Sequence, residues 1–425
     1  MTDPLELLSR SELAKLGREY LLAGHMIDRA GMPYVIKEFG LAAMRDVAIE
    51  EWVSASPVYT RRIRRVLRFD GDDVATIFKG MQFDIGAPHQ FMDFRFTVHD
   101  ADHGEFSLAS CGALMDVEPL GEEFVVTMCH HIEDPTFDAT ASATNPRARM
   151  RPVHRPPRVP ADRTPHCNWL VEIHPDVEPL QEPEGARWLS TSRAANIQLA
   201  EPAVASVEHE GDSDYAGTFD PDVQFERFSH PTLVRLLDEI CLQGHLLARS
   251  FMRAVERRSD AGAATRIGAH ELTGVAGLTS KRLARALGTN GGPEGITRIL
   301  ELHPALRPRV YTGARIERSS DEVVLEIGSC EGLSEGDDLS WPALLAGGHT
   351  EALDALVQAV DPRARCRPIE PTHQALAAWT IVIEEKAAPA SVPEEVAVTA
   401  FSTGAGFSFR PPNVGEEPAF SGSNG

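Results

Sequence analysis

The second half of this chain repeats the first, which restricts it to two related folding units. Gly24-His25-Met26-Ile27-Asp28-Arg29 returns as Gly244-His245-Leu246-Leu247-Ala248-Arg249, an offset of 220 residues. Asp70-Gly71-Asp72 returns as Asn290-Gly291-Gly292 at 220, and Ser110-Cys111 as Ser329-Cys330 at 219. Pro146-Arg147-Ala148-Arg149-Met150-Arg151-Pro152 returns as Pro362-Arg363-Ala364-Arg365-Cys366-Arg367-Pro368 at 216, and Trp169 as Trp379 at 210. The offset never increases along the chain, which is the pattern left when one copy has lost loop residues.

Local patterns make each copy α+β. Ser9-Arg10-Ser11-Glu12 reads as a capping box, and Leu13, Leu16, Tyr20 and Ile27 recur at helical spacing, predicting a helix over 11–30. A second helix is expected from Pro33 to Trp52, with shorter ones over 60–69 and 72–81. Phe94, Phe96 and Val98 alternate with Arg95 and Thr97 as in a strand, and Phe106 to Cys111 returns after the turn at Asp100 to Gly104. A helix over 121–131 and a strand from Trp169 to Ile173 complete the unit. The expectation is a tandem duplication of a helical-plus-antiparallel-sheet unit, forming an internal pseudo-dimer. The copies cover 8–175 and 229–385, joined by an acidic linker over 176–228 and followed by an Ala-, Pro-, Gly- and Ser-rich disordered tail over 386–425.

Charge and segment lengths limit the partners. A net charge of −22, with only five lysines, is the wrong field for nucleic acid or an anionic membrane. No apolar run is long enough to span a bilayer, and Met1 to Glu6 has no signal-peptide character, so a cytoplasmic protein with free thiols is expected.

Side chains suited to chemistry concentrate between Cys111 and Trp169. Cys129-His130-His131 is followed by Asp134 and Asp138, and His166-Cys167-Asn168 enters the last strand. The second copy keeps Cys330 and the three arginines but has Ala377-Ala378 where His166-Cys167-Asn168 would fall, so the complete site is expected in the first copy alone. Cys129, His131 and Cys167, with Cys111 or His154 as further donors, are ligand types for zinc or iron, although no Cys-x-x-Cys pair is present. Cys129 or Cys167 is alternatively a nucleophile served by His130 or His131, with Asp134 or Asp138 orienting a histidine. Against both stands the ordinary fate of a free cysteine as a small buried hydrophobe. Arg147, Arg149 and Arg151 alternate, as a carboxylate-binding strand face would, but their recurrence at 363, 365 and 367 favours structural ion pairs. His25 and His245, each after a glycine, read as packing or interface residues.

The order Cys129, Asp134, Asn145-Pro146-Arg147-Ala148-Arg149 and Cys167 resembles the L-2-amino-thiazoline-4-carboxylic acid hydrolase family over one repeat. The strand that Cys167 enters is also similar to one in vinyl-reductase-type ligand-binding domains. The first resemblance implies a hydrolase that opens a C–N or C–S bond in a small carboxylate-bearing substrate. Cys129, His130, His131, Asp134 and Cys167 would be catalytic, and Asn145, Arg147 and Arg149 would bind substrate. The duplication and the Pro- and Arg-rich loop over 152–165 depart from that family. The competing expectation is a non-catalytic small-molecule-binding, metal-binding or assembly protein.

Overall fold

The computed structural model describes residues 3–202, 210–319, 322–372 and 374–410. The first half runs α1 (Arg10–His25), α2 (Ile27–Phe39), α3 (Leu41–Val66), α4 (Val74–Met81), β1 (Met92–Val98), β2 (His103–Cys111), α5 (Gly112–Val117) and α6 (Glu122–Val126). A π-helical turn at Thr127–Ile132 then leads directly into α7 (Glu133–Ser142), β3 (Ala148–His154), β4 (Cys167–Ile173), α8 (Glu184–Ser190) and α9 (Arg193–Asn196). The second half runs α10 (His230–Arg258), α11 (Ala261–Leu287), α12 (Pro293–Leu302), α13 (Arg309–Thr312), β5 (Ala314–Arg318) and β6 (Val323–Gly328). It ends with α14 (Trp341–Ala346), α15 (Glu351–Gln358), β7 (Ala364–Ile369), β8 (Ala375–Ile383) and α16 (Glu394–Thr399).

The fold is α+β, with two antiparallel four-stranded sheets of matching order, β1-β2-β4-β3 and β5-β6-β8-β7. Register matches as well as order. Trp169 on β4 lies between Phe106 and Pro152, while Trp379 on β8 lies between Leu325 and Pro368. Asp138 on α7 accepts the Met150 backbone N–H at 2.8 Å, and Asp354 on α15 accepts that of Cys366 at the same 2.8 Å. The helices pack reciprocally, α3 against α10 and α11 against α2, with α1 also on α10. Gly31 on α2 allows this closeness: a Cβ there would come within 2.5 Å of the Phe251 ring on α10.

The capping box forms, with Ser9 as N-cap and Glu12 returning to its backbone. Pro33 falls inside α2 instead of opening a helix, and Gly40, at φ 86°, separates α2 from a long α3 that absorbs the piece expected over 60–69. The alternate arginines make structural contacts. Arg151 pairs with Asp138 at 2.9 Å, Arg149 donates to the carbonyls of Pro146, Ala148 and Glu178, and Arg147 to that of Pro175. Asn145 caps its own turn, accepting from the Arg147 N–H and donating to the Asp72 carbonyl, so it too is structural.

Both flanking segments are more ordered than their composition predicts. The described part of 176–228 carries α8, α9 and the buried rings of Tyr215, Phe225 and Phe228, and Trp188 stacks under Arg253 at 4.1 Å. Of the expected tail, 394–399 is helical and packs on α11, with Ser402 buried beyond it. The reason is spacing: a few inward-facing side chains at helical intervals, such as Val396 and Thr399, whose hydroxyl is satisfied by the Glu395 carbonyl, suffice to dock a short segment on an existing surface. The remainder of that tail, 411–425, lies outside the described residues. Among the described residues no helix is long and apolar enough to cross a membrane.

Candidate functional site

Between the sheet of the first half and its helices lies a cavity of about 530 Å³, within the range of small-molecule sites. Its wall is mostly apolar. Met32, Met44, Met81, Met92 and Met128 line it, half of the ten methionines in the chain. Trp52, Phe94, Phe124 and Phe137 add aromatic surface. Flexible thioethers and rigid rings make a surface that adapts to an apolar guest. Leu120 and Phe401 also line it and are 49% and 47% exposed, which marks the mouth.

Into this apolar wall a few polar groups converge. His25, Asp28 and Arg29 come from the break between α1 and α2, Asp84 from the turn after α4, Asp116 from α5 and Glu133 from the start of α7. Arg29 holds Asp28 through two contacts at 2.5 and 2.7 Å and reaches Asp116 at 3.5 Å. Asp116 in turn accepts from the Ser402 hydroxyl at 2.6 Å and from the Thr403 N–H and hydroxyl at 2.7 Å. The C-terminal segment is thereby tied over the cavity of the first half. Asp84 accepts from Tyr59 and from the Gly86 N–H, both at 2.7 Å, and burial lifts its carboxyl to about 6.

Two groups on the wall have nothing to bond. His25 is 4% exposed, and neither ring nitrogen has a hydrogen-bond partner, the Ile85 carbonyl being close enough to be felt but outside bonding geometry. Burial first, and Arg29 second, hold its imidazole neutral. Glu133 accepts no hydrogen bond from the described residues; burial, then the neighbouring Asp134, pushes its carboxyl up to about 7, against the pull of Arg155 and Arg29. Because its folded value lies above its ordinary 4.5, Glu133 favours the folded state below about pH 4.5 and progressively loses that contribution as pH rises through 7. Glu133→Gln is therefore expected to gain up to about 3 kcal/mol over the wild type between pH 5 and pH 8. Urea unfolding at the two pH values would read the difference, and equal shifts at both would refute it.

The cysteines expected to do chemistry lie next to this wall but are quenched. Cys111, Cys129, Cys167 and Glu133 are close enough to influence one another, so the fold does gather the sulfur groups. All three thiols are buried. Burial, followed by Glu133, drives each upward, Cys167 to about 12, which is the opposite of an activated nucleophile. Cys111 caps α5, accepting the Leu114 N–H, and its own N–H donates to His166. The histidines turn away: His130 Nε2 lies 2.7 Å from the Pro156 carbonyl and His131 is exposed. Asp134 pairs with Arg155. Among the described residues no three His, Cys, Asp or Glu side chains are placed to hold a metal, so Cys129, His131 and Cys167 do not form the zinc or iron site their types suggested.

The second half has no such arrangement around its matching histidine. His245 Nε2 lies 2.7 Å from the Arg307 carbonyl, and the rings of Tyr311 and Trp341 pack on it at 4.8 and 5.1 Å. Ala248 replaces Asp28, and Arg249 pairs with Asp337 at 3.0 Å. The counterpart of 129–134 is 345–350, as the matching roles of Asp138 and Asp354 fix the alignment; Gly347 and Gly348 fall there and split α14 from α15 where the first half has a continuous π-helical turn.

The sequence pattern missed Asp28, Asp84, Asp116 and Glu133. Two signals were present. Asp28 is the acid that the second copy lacks, and Glu133 lies four residues after the buried Cys129, on its helical face, whereas His130, His131 and Asp134 do not. Comparison of the chain with family models, with curated proteins and with solved structures finds no match.

Proposed function

We propose that this protein binds a small, largely apolar molecule in the cavity of its N-terminal half, the second half serving as scaffold and closing segment. One observation carries the reading: a 530 Å³ methionine- and aromatic-lined hollow whose wall presents an unpartnered His25. A buried polar group without a partner costs about 1–3 kcal/mol, a cost that a ligand's polar end would remove. The π-helical turn supports it, since such insertions concentrate at functional positions.

The hydrolase expected from the resemblance would need a thiolate at Cys129 or Cys167, which burial opposes, and its carboxylate anchors Arg147 and Arg149 are occupied on the outer face of the sheet. Ala48, 3% exposed on the cavity wall, provides the test. Ala48→Trp is expected to weaken binding of a decyl-chain probe at least tenfold in calorimetry while leaving the circular dichroism spectrum unchanged. Equal binding by the variant would sink the proposal. Rapid, selective alkylation of native Cys129 or Cys167 at pH 7 would instead favour thiol chemistry.

A further inference from the structure

The polar groups of the cavity carry information about the charge of what enters it, and this deepens the binding reading just given, on which it rests. Arg29, the one cation among the lining residues, is already held by two aspartates, Asp28 and Asp116, so that trio is net negative. Glu133 adds a carboxyl that accepts no hydrogen bond from the described residues, and His25 adds a neutral imidazole with both nitrogens free. An incoming carboxylate would meet acids on several sides and an arginine with no vacant claim. A group rich in N–H donors would meet acceptors. Aromatic faces at Trp52, Phe94 and Phe137 are further compatible with positive charge.

We propose that the ligand is a lipophilic amine, whose alkyl or aryl body fills the methionine-lined chamber and whose ammonium pairs with the Glu133 carboxylate, with His25 as a further acceptor in the cavity lining. The apolar area dictates the body and the unpaired acceptors dictate the head. Carboxylic acids of the same shape are disfavoured by Asp28 and Asp116, whose Arg29 is already claimed, and neutral alcohols gain the chamber but not the ion pair.

The other charges around Glu133 leave this assignment intact. Asp134 on the same helix is neutralised by Arg155 from the loop after β3, and Arg29 from α2 is shared between its two aspartates. Cys111 on β2, Cys129 on the π-helical turn and Cys167 on β4 face Glu133 as uncharged thiols. Asp84, also in the lining, is tied to Tyr59, and the buried Glu51 is held protonated by burial and by the nearby Asp28. Pairing with an ammonium must therefore expel the proton that Glu133 carries in moderately acid solution.

The test is calorimetric titration of the full-length protein at pH 6 with decylamine, decanol and decanoate, in two buffers of different ionisation enthalpy. Decylamine is expected to bind at least tenfold tighter than decanol and to release a proton to the buffer, while decanoate binds weakest. In Glu133→Gln the amine-to-alcohol ratio should fall to about one, and the proton release should vanish. Decanol or decanoate binding as tightly as decylamine would overturn the amine assignment, as would a preference that survives Glu133→Gln, and either result would leave the cavity as a receptor. If none of the three binds, the receptor reading itself falls.

Discussion

Asp116→Ala is expected to destabilise the protein by about 3–5 kcal/mol, the cost of removing one partner from a buried charge cluster. The side chain is fully enclosed, and its carboxylate collects Arg29, the Ser402 hydroxyl and both donors of Thr403. Alanine leaves Arg29 with Asp28 alone, strands the Ser402 and Thr403 donors without their acceptor, and frees the segment that carries Phe401 at the mouth. Asp116→Asn, which keeps an acceptor of the same size, should lose less. Urea denaturation reads the energy, and limited proteolysis reads the local release: cleavage near Phe401 should appear in the alanine variant well before global unfolding. A stability loss under 1 kcal/mol, with no new cleavage, would show that the tie contributes little.

Arg62→Ala should cost a similar amount, about 3–5 kcal/mol, at the junction of the two halves. Arg62 on α3 meets Glu239 on α10 in a two-point pair at 2.7 and 2.8 Å, and the side chains are 4% and 9% exposed. It also donates to the carbonyls of Ala195 and Ile197, so truncation strands a carboxylate and two carbonyl groups together. The double change Arg62→Met with Glu239→Leu should recover part of the loss, because buried ion pairs are often replaceable by well-packed apolar side chains even when neither partner can be removed alone. A double variant no more stable than Arg62→Ala would place the stabilisation in the carbonyl contacts instead of the charge pair.

Much of the architecture was legible in the residues. Matching offsets of His25 with His245, of the arginine runs and of Trp169 with Trp379 anticipated two similar helical-plus-sheet units. Alternation at Phe94, Phe96 and Val98 found β1. The recurrence of the three arginines pointed to structural roles, which their carbonyl and carboxylate partners bear out. Proximity in sequence misled where depth decided function. Cys129, His130, His131 and Asp134 form a dense string, but a helical path, here a π-helical one, sends successive side chains to different faces, so the thiol turns inward and both imidazoles leave. The groups that share the cavity come from residues 25–29, 84, 116 and 133, segments with no local signature in common.

The sequence by itself determined the repeated α+β unit and its first hairpin, because hydrophobic period and internal homology are properties of the chain read in one dimension. It also marked the first half as the one retaining extra polar side chains. Only the tertiary structure decided which of these face a common hollow, that a short segment near the C-terminus closes over the N-terminal unit, and that the sulfur groups are walled off. Burial sets whether a thiol or carboxyl is charged, and burial arises from contacts between residues far apart in the chain, which no local pattern encodes.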